Sequence, residues 1–121
     1  MTVLVVDDED DIRLIVGQGL IASGLAVVVA ANGAEGLTLA RRHVPDLIVL
    51  DVMMPEMDGY ATLAALRGDP ATVRIPVMML TAKNMTASEE ALRDMGVVGF
   101  VAKPFIPREL VEHVRAALAR L

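Results

Sequence analysis

Five short runs in which nearly every residue is apolar punctuate the chain: VLVV (3–6), LAVVVA (25–30), DLIVLD (46–51), PVMML (76–80) and VGFVA (98–102). Continuous runs of this length, rich in Val, Ile and Leu, predict strands buried on both faces. The longer stretches between them carry helix signals, over 11–23, 34–43 and 59–67. Thr86, Ala87, Ser88 and Glu89 fit a capping box that opens a fourth helix, which Gly96 ends. Pro107 stands in the first turn of a fifth, whose Leu110, Val111, Val114, Ala117, Leu118 and Leu121 share one apolar face. Strand and helix thus alternate five times. The expected fold is α/β, a single (βα)5 domain over 1–121 with a doubly wound five-stranded parallel sheet and right-handed crossovers.

Composition narrows the classes. A chain of 121 residues has the length of one domain and buries roughly two thirds of its unfolded surface. With no cysteine there are no disulfides and no thiolate metal sites. The formal net charge of −5 and the lack of a basic stripe argue against direct nucleic-acid binding. Residues 14–34 carry no charge and approach the length of a membrane span, yet four glycines and the change of pattern near Gly24 divide them into a helix, a turn and a strand. Nothing at the start resembles a secretory signal, because VLVV is followed at once by DDEDD. A soluble, cytoplasmic protein without a membrane partner is expected. The eight methionines are read as core filler.

In an open parallel sheet the ligand crevice lies beyond the carboxyl ends of the strands. Strand 1 ends there in Asp7 and Asp8, strand 3 in Asp51, strand 4 in Thr81 and strand 5 in Lys103 and Pro104. The acids after strand 1 have a plainer reading, as residues that favour the start of the next helix. That reading does not account for the whole set. Carboxylates brought within several ångströms repel by roughly 1–4 kcal/mol per close pair, so a cation is required. All-oxygen donors suit Mg²⁺ or Mn²⁺ ahead of zinc. A carboxylate beside such an ion, with a hydroxyl and an ammonium opposite, suits phosphoryl transfer to the carboxylate. Only two of the eleven basic residues are lysines, Lys83 and Lys103, and both follow late strands.

VLVVDDE, DLIVLDVMMPEMDG, PVMMLTA and FVAKPF, in this order and spacing, resemble the receiver domain of two-component response regulators, of the chemotaxis-receiver kind. The resemblance covers essentially the whole chain and implies the flavodoxin-like strand order 2-1-3-4-5. It makes Asp51 the phosphoacceptor from the phosphohistidine of a sensor kinase or phosphotransfer protein. Asp8, Asp51 and the backbone carbonyl of Met53 would ligate Mg²⁺, with Asp7 acting mainly through water. Thr81 and Lys103 would hold phosphoryl oxygens, and the Lys103–Pro104 bond would be cis. Thr81 and Phe100 would form the switch that remodels the face of helix 4, strand 5 and helix 5 for a downstream partner or effector domain. On this reading the protein is a signalling module and not an enzyme, its only catalysis being its own phosphorylation and dephosphorylation.

Four departures or particulars carry further expectations. Phe100 stands where the family often has Tyr, so a phenolic hydrogen bond to a partner is absent; GVVGF replaces a more polar segment, so Val97 and Val98 are expected to add apolar surface to the output face or to a phosphorylation-dependent homodimer. Met53 is expected to impede the attacking water, and Lys83 to contact the phosphoryl group. The competing readings are a phosphorylation-independent docking module of the same fold, an aspartyl phosphatase of the haloacid dehalogenase type, and a flavin binder. The last two want D-x-D-x-T or a Ser/Thr/Gly phosphate loop after strand 1, and DDEDD supplies neither.

Overall fold

The computed structural model describes residues 1–82 and 87–121. Its elements are β1 (Thr2–Val6), α1 (Asp10–Ala22), β2 (Ala26–Ala30), α2 (Gly33–His43), β3 (Leu47–Asp51), α3 (Gly59–Arg67), β4 (Val77–Thr81), α4 (Glu89–Asp94), β5 (Val97–Ala102) and α5 (Pro107–Ala119). The strands run parallel in the order β2-β1-β3-β4-β5, the flavodoxin-like arrangement, with the chain winding one way from β1 to β2 and the other way from β3 onward. The break falls between β1 and β3, whose tips deliver the acids.

Three of the helices start where a side chain accepts from a free N–H group, and a fourth starts on a proline, which has no N–H to satisfy. Asn32 accepts from Glu35 N–H, Asp58 from Ala61 N–H and Ser88 from Ala91 N–H, while Pro107 occupies the first turn of α5. The cap of α4 is therefore Ser88, two residues after the Thr86 expected from the capping-box pattern, and Thr86 itself lies outside the described residues. Gly96, at φ +86°, turns the chain out of α4 as expected.

The pleat sorts the core into two layers. Leu4, Val6, Ile48, Leu50, Val77, Met79 and Val97 face α2, α3 and α4. Val3, Val5, Leu47, Val49, Met78, Leu80 and Val101 face α1 and α5. β1, β3 and β4 are buried on both sides, as their continuous apolar runs predict. β2 and β5 are not: as the edges of the sheet they leave residues such as Ala26, Val29, Val98 and Ala102 exposed. Composition alone cannot distinguish an apolar edge from an apolar centre, since neighbours in space decide it.

A bulge in β5 corrects the expectation for its valines. Val77 pairs with Val97 but Met78 pairs with Gly99, so Val98 is the extra residue and stands 38% exposed while Val97 enters the core. Arg67, at the end of α3, ties the neighbouring segments together. Its guanidinium donates to the carbonyls of Met95, Thr72, Val73 and Ile75. Among the described residues no helix is long and apolar enough to cross a membrane.

Candidate functional site

The strand tips bring together the residues that the sequence disperses. Asp51 is the last residue of β3, and Asp7 and Lys103 each stand one position beyond their strands. The ladder continues to hold them: Asp7 N–H donates to Ala30 O at 3.1 Å and Lys103 N–H to Thr81 O at 2.8 Å. Alternation along each strand puts Asp7, Asp51 and Lys103 in phase with Val5, Val49 and Val101, hence on the α1/α5 side. Thr81 is in phase with Met79, and so lies on the α4 side together with Phe100, which pairs with Met79.

Asp7 and Asp51 are 0% and 1% exposed, and the Lys103 ammonium bridges them, 2.8 Å from Asp7 Oδ2 and 3.2 Å from Asp51 Oδ2. Both oxygens are buried, and these contacts lack the angles of full hydrogen bonds. The other oxygens are oriented by the backbone. Asp7 Oδ1 accepts from Glu9 N–H at 2.9 Å and Asp51 Oδ1 from Met53 N–H at 3.2 Å. Burial pushes the Asp51 carboxyl up to about 6; the Asp7 carboxylate adds to the rise, and the Lys103 ammonium and the Met53 N–H draw it back. Burial works against the charge on Lys103, but the two carboxylates outweigh it and hold its pKa above the ordinary lysine range.

Asp8 completes the cluster from an exposed position, so that carboxylate oxygens of Asp7, Asp8 and Asp51 all lie within 4.8 Å of one another. Among the described residues, three acids face one ammonium. The excess negative charge and the two incompletely bonded buried oxygens fit a hard divalent cation bound by oxygen donors. Beside this cluster a cleft of about 390 Å³ is bordered by Glu9, Ile12, Ile15, Lys103, Phe105 and Pro107. The Lys103–Pro104 peptide is cis, as expected.

The remaining expected residues take their places around this centre. Met53 is 66% exposed on the loop after Asp51. Phe100 packs partly buried against the α4-side core, with the Arg93 guanidinium over its ring. Lys83 lies outside the described residues.

Two residues that sequence reading did not single out support the site. Gly59 opens α3 directly against Asp51: a Cβ there would come within 2.4 Å of Asp51 O and 2.7 Å of Val52 Cα, and its N–H donates to Val52 O at 2.8 Å. The Asp58–Gly59 pair at the end of the motif was its only trace. Arg13 donates to the carbonyl of Asp7 at 2.7 Å and pairs with Asp10, pinning the acidic loop from α1. Nothing in its spacing distinguishes it from any surface arginine.

The sequence profile of the response regulator receiver domain matches residues 3–115. The chain is 41% identical over 118 residues to the probable transcriptional regulator ycf27 of Guillardia theta, covering 98% of this chain and 45% of that protein. It is 40% identical over 118 residues to the alkaline phosphatase synthesis transcriptional regulatory protein PhoP of Bacillus subtilis, covering 98% and 48%. It therefore spans about half the length of these curated relatives. Among solved structures it is similar to the chemotaxis protein CheY4 of Vibrio cholerae, with a TM-score of 0.83, 33% identity, and 96% and 97% of the two chains covered. It also matches a CheY-like response regulator receiver domain protein of Methanospirillum hungatei JF-1, with a TM-score of 0.87, 29% identity, and 98% and 94% covered. With the strand order, the acid cluster and this match over nearly its whole length agreeing, the chain belongs to the response regulator receiver domains of two-component systems.

Proposed function

We propose that the chain, as one receiver domain over 1–121, accepts a phosphoryl group on Asp51 from the phosphohistidine of a sensor kinase or phosphotransfer protein. The observation that carries this reading is the buried pairing of Asp51 and Asp7 across the Lys103 ammonium, beside the exposed Asp8. A carboxyl lifted to about 6 is still ionised at neutral pH, and its burial leaves it poorly solvated, so it is a better nucleophile than a surface aspartate.

One Asp51 oxygen forms the new P–O bond as the P–N bond to the donor breaks, its electron pair returning to the imidazole nitrogen. Lys103 turns its ammonium from Asp51 to an equatorial phosphoryl oxygen, and the Thr81 hydroxyl donates to another. Asp7, Asp8, Asp51 and the Met53 carbonyl would hold Mg²⁺, or Mn²⁺, which would supply charge neutralisation on the transferred group. The cleft floored by Ile12, Ile15 and Phe105 gives the donor an apolar rim to dock on beside Lys103. Met53, exposed beside the acceptor, obstructs water and lengthens the lifetime of the acyl phosphate.

The output is a changed face of α4, β5 and α5, read in the cytoplasm by a protein partner or an effector domain. Incubation with a small phosphodonor and Mg²⁺, followed by intact mass, tests the reading. The expected result is a gain of one phosphoryl group that Asp51→Asn abolishes; no gain in the wild type, or an equal gain in the variant, overturns it.

A further inference from the structure

The switch aromatic of this chain lacks the hydroxyl with which a tyrosine would anchor itself, and the structure holds it in another way. Phe100 is only partly buried, so more of its ring surface can leave water if it turns inward. It sits on the α4 side of the sheet, in phase with Thr81 on the adjacent strand, because Met79 pairs with Phe100 and Thr81 with Ala102. A guanidinium from α4 lies over the ring: Arg93 Cζ is 5.1 Å from its centroid. The guanidinium is steadied by Glu89 one turn earlier, 3.4 Å away. Its side chain is otherwise 59% exposed, and no backbone carbonyl of the described residues takes its protons.

We propose that Arg93 is a positioning residue that latches Phe100 outward in the unphosphorylated protein by stacking its guanidinium on the ring. Turning inward takes the ring away from the guanidinium, so inward rotation must break this contact, whereas the outward pose keeps it. The latch therefore opposes activation until the phosphoryl group draws Thr81 across and opens the space behind the ring. A partly solvated cation–π contact changes such an equilibrium by about two- to fivefold, enough to tune a basal level without blocking the switch. This inference rests on the phosphoacceptor reading above, and on Phe100 being its switch.

The chain has two phenylalanines, Phe100 and Phe105, so 4-fluorophenylalanine labelling yields two fluorine resonances, assigned with Phe105→Leu. In the wild type, beryllofluoride with Mg²⁺ should displace the Phe100 resonance. Without either, Arg93→Met, which keeps an unbranched apolar stem but no charge, should move that resonance part of the way to its beryllofluoride position. The same variant should be phosphorylated by acetyl phosphate about two- to fivefold faster, and Arg93→Lys should restore most of both properties. A displaced wild-type resonance with Arg93→Met indistinguishable from wild type in shift and rate overturns the latch alone. A wild-type resonance that beryllofluoride leaves in place overturns the Phe100 switch, and the latch with it. Failure of Asp51 to gain phosphate while the resonance still responds to beryllofluoride counts against the acceptor chemistry only.

Discussion

At the scale of single residues, the site is a charged group held where water cannot reach it. Asp51 in the unfolded chain titrates near 3.9, whereas burial beside Asp7 lifts it to about 6 in the fold. A raised carboxyl favours the protonated folded state, so its contribution is fully present below about pH 4 and is lost as pH rises through 6. In metal-free buffer Asp51→Asn should therefore be more stable than wild type at pH 7.5, by on the order of 1–3 kcal/mol, with the advantage shrinking toward pH 4. Urea midpoints at pH 4, 5.5 and 7.5 measure this, and a difference independent of pH would remove the electrostatic argument. Gly59→Ala acts through shape. Its Cβ would strike the Asp51 and Val52 backbone, which cannot move as a flexible side chain can, so a loss of about 2–4 kcal/mol is expected together with slower phosphorylation. Denaturation with parallel mass measurements checks both, and a stable, fully active variant would show that the acceptor loop has slack.

Among the elements, α4 is short and its attachment matters more than its propensity. Its C-terminal end is secured by Arg67, which receives no carboxylate partner among the described residues and instead donates to four carbonyls from the α3–β4 segment and the α4–β5 turn. Burial holds its pKa below the ordinary arginine range. Gly96 packs onto this guanidinium, where a Cβ would come within 2.8 Å of its Nη2, and its φ of +86° disfavours any side chain. Arg67→Met and Gly96→Ala should each cost about 1–3 kcal/mol, and the pair less than the sum, because both disrupt one joint. Chemical denaturation of the double-mutant cycle reads the coupling; strict additivity would separate the two. The β5 bulge is the other decision taken at this scale. With Val98 looped out, Val97 and Phe100 both face the α4 side; a regular strand would set them on opposite faces.

For the whole molecule, the three clustered acids predict a stability that depends on divalent ion. A cation that binds only the fold adds about 2.7 kcal/mol at one hundred times its dissociation constant. Wild-type unfolding should shift to higher temperature with Mg²⁺ and return with a chelator, while Asp8→Asn loses most of the shift; a midpoint indifferent to Mg²⁺ would refute the ion site. Much of this protein is local and therefore legible in its sequence. Apolar runs of four to six residues name the five strands, and because a parallel sheet exposes its ligands at the carboxyl tips, Asp7, Asp8, Asp51, Thr81 and Lys103 could be named before any coordinates. The exposure of β2 and β5, the looping out of Val98, the Ser88 cap, the closeness of Gly59 to the Asp51 backbone and the grip of Arg67 and Arg13 were not legible. Periodicity reports what one segment prefers by itself, while these features depend on which segments become neighbours and how closely they pack, and that is settled only when the layers close on each other.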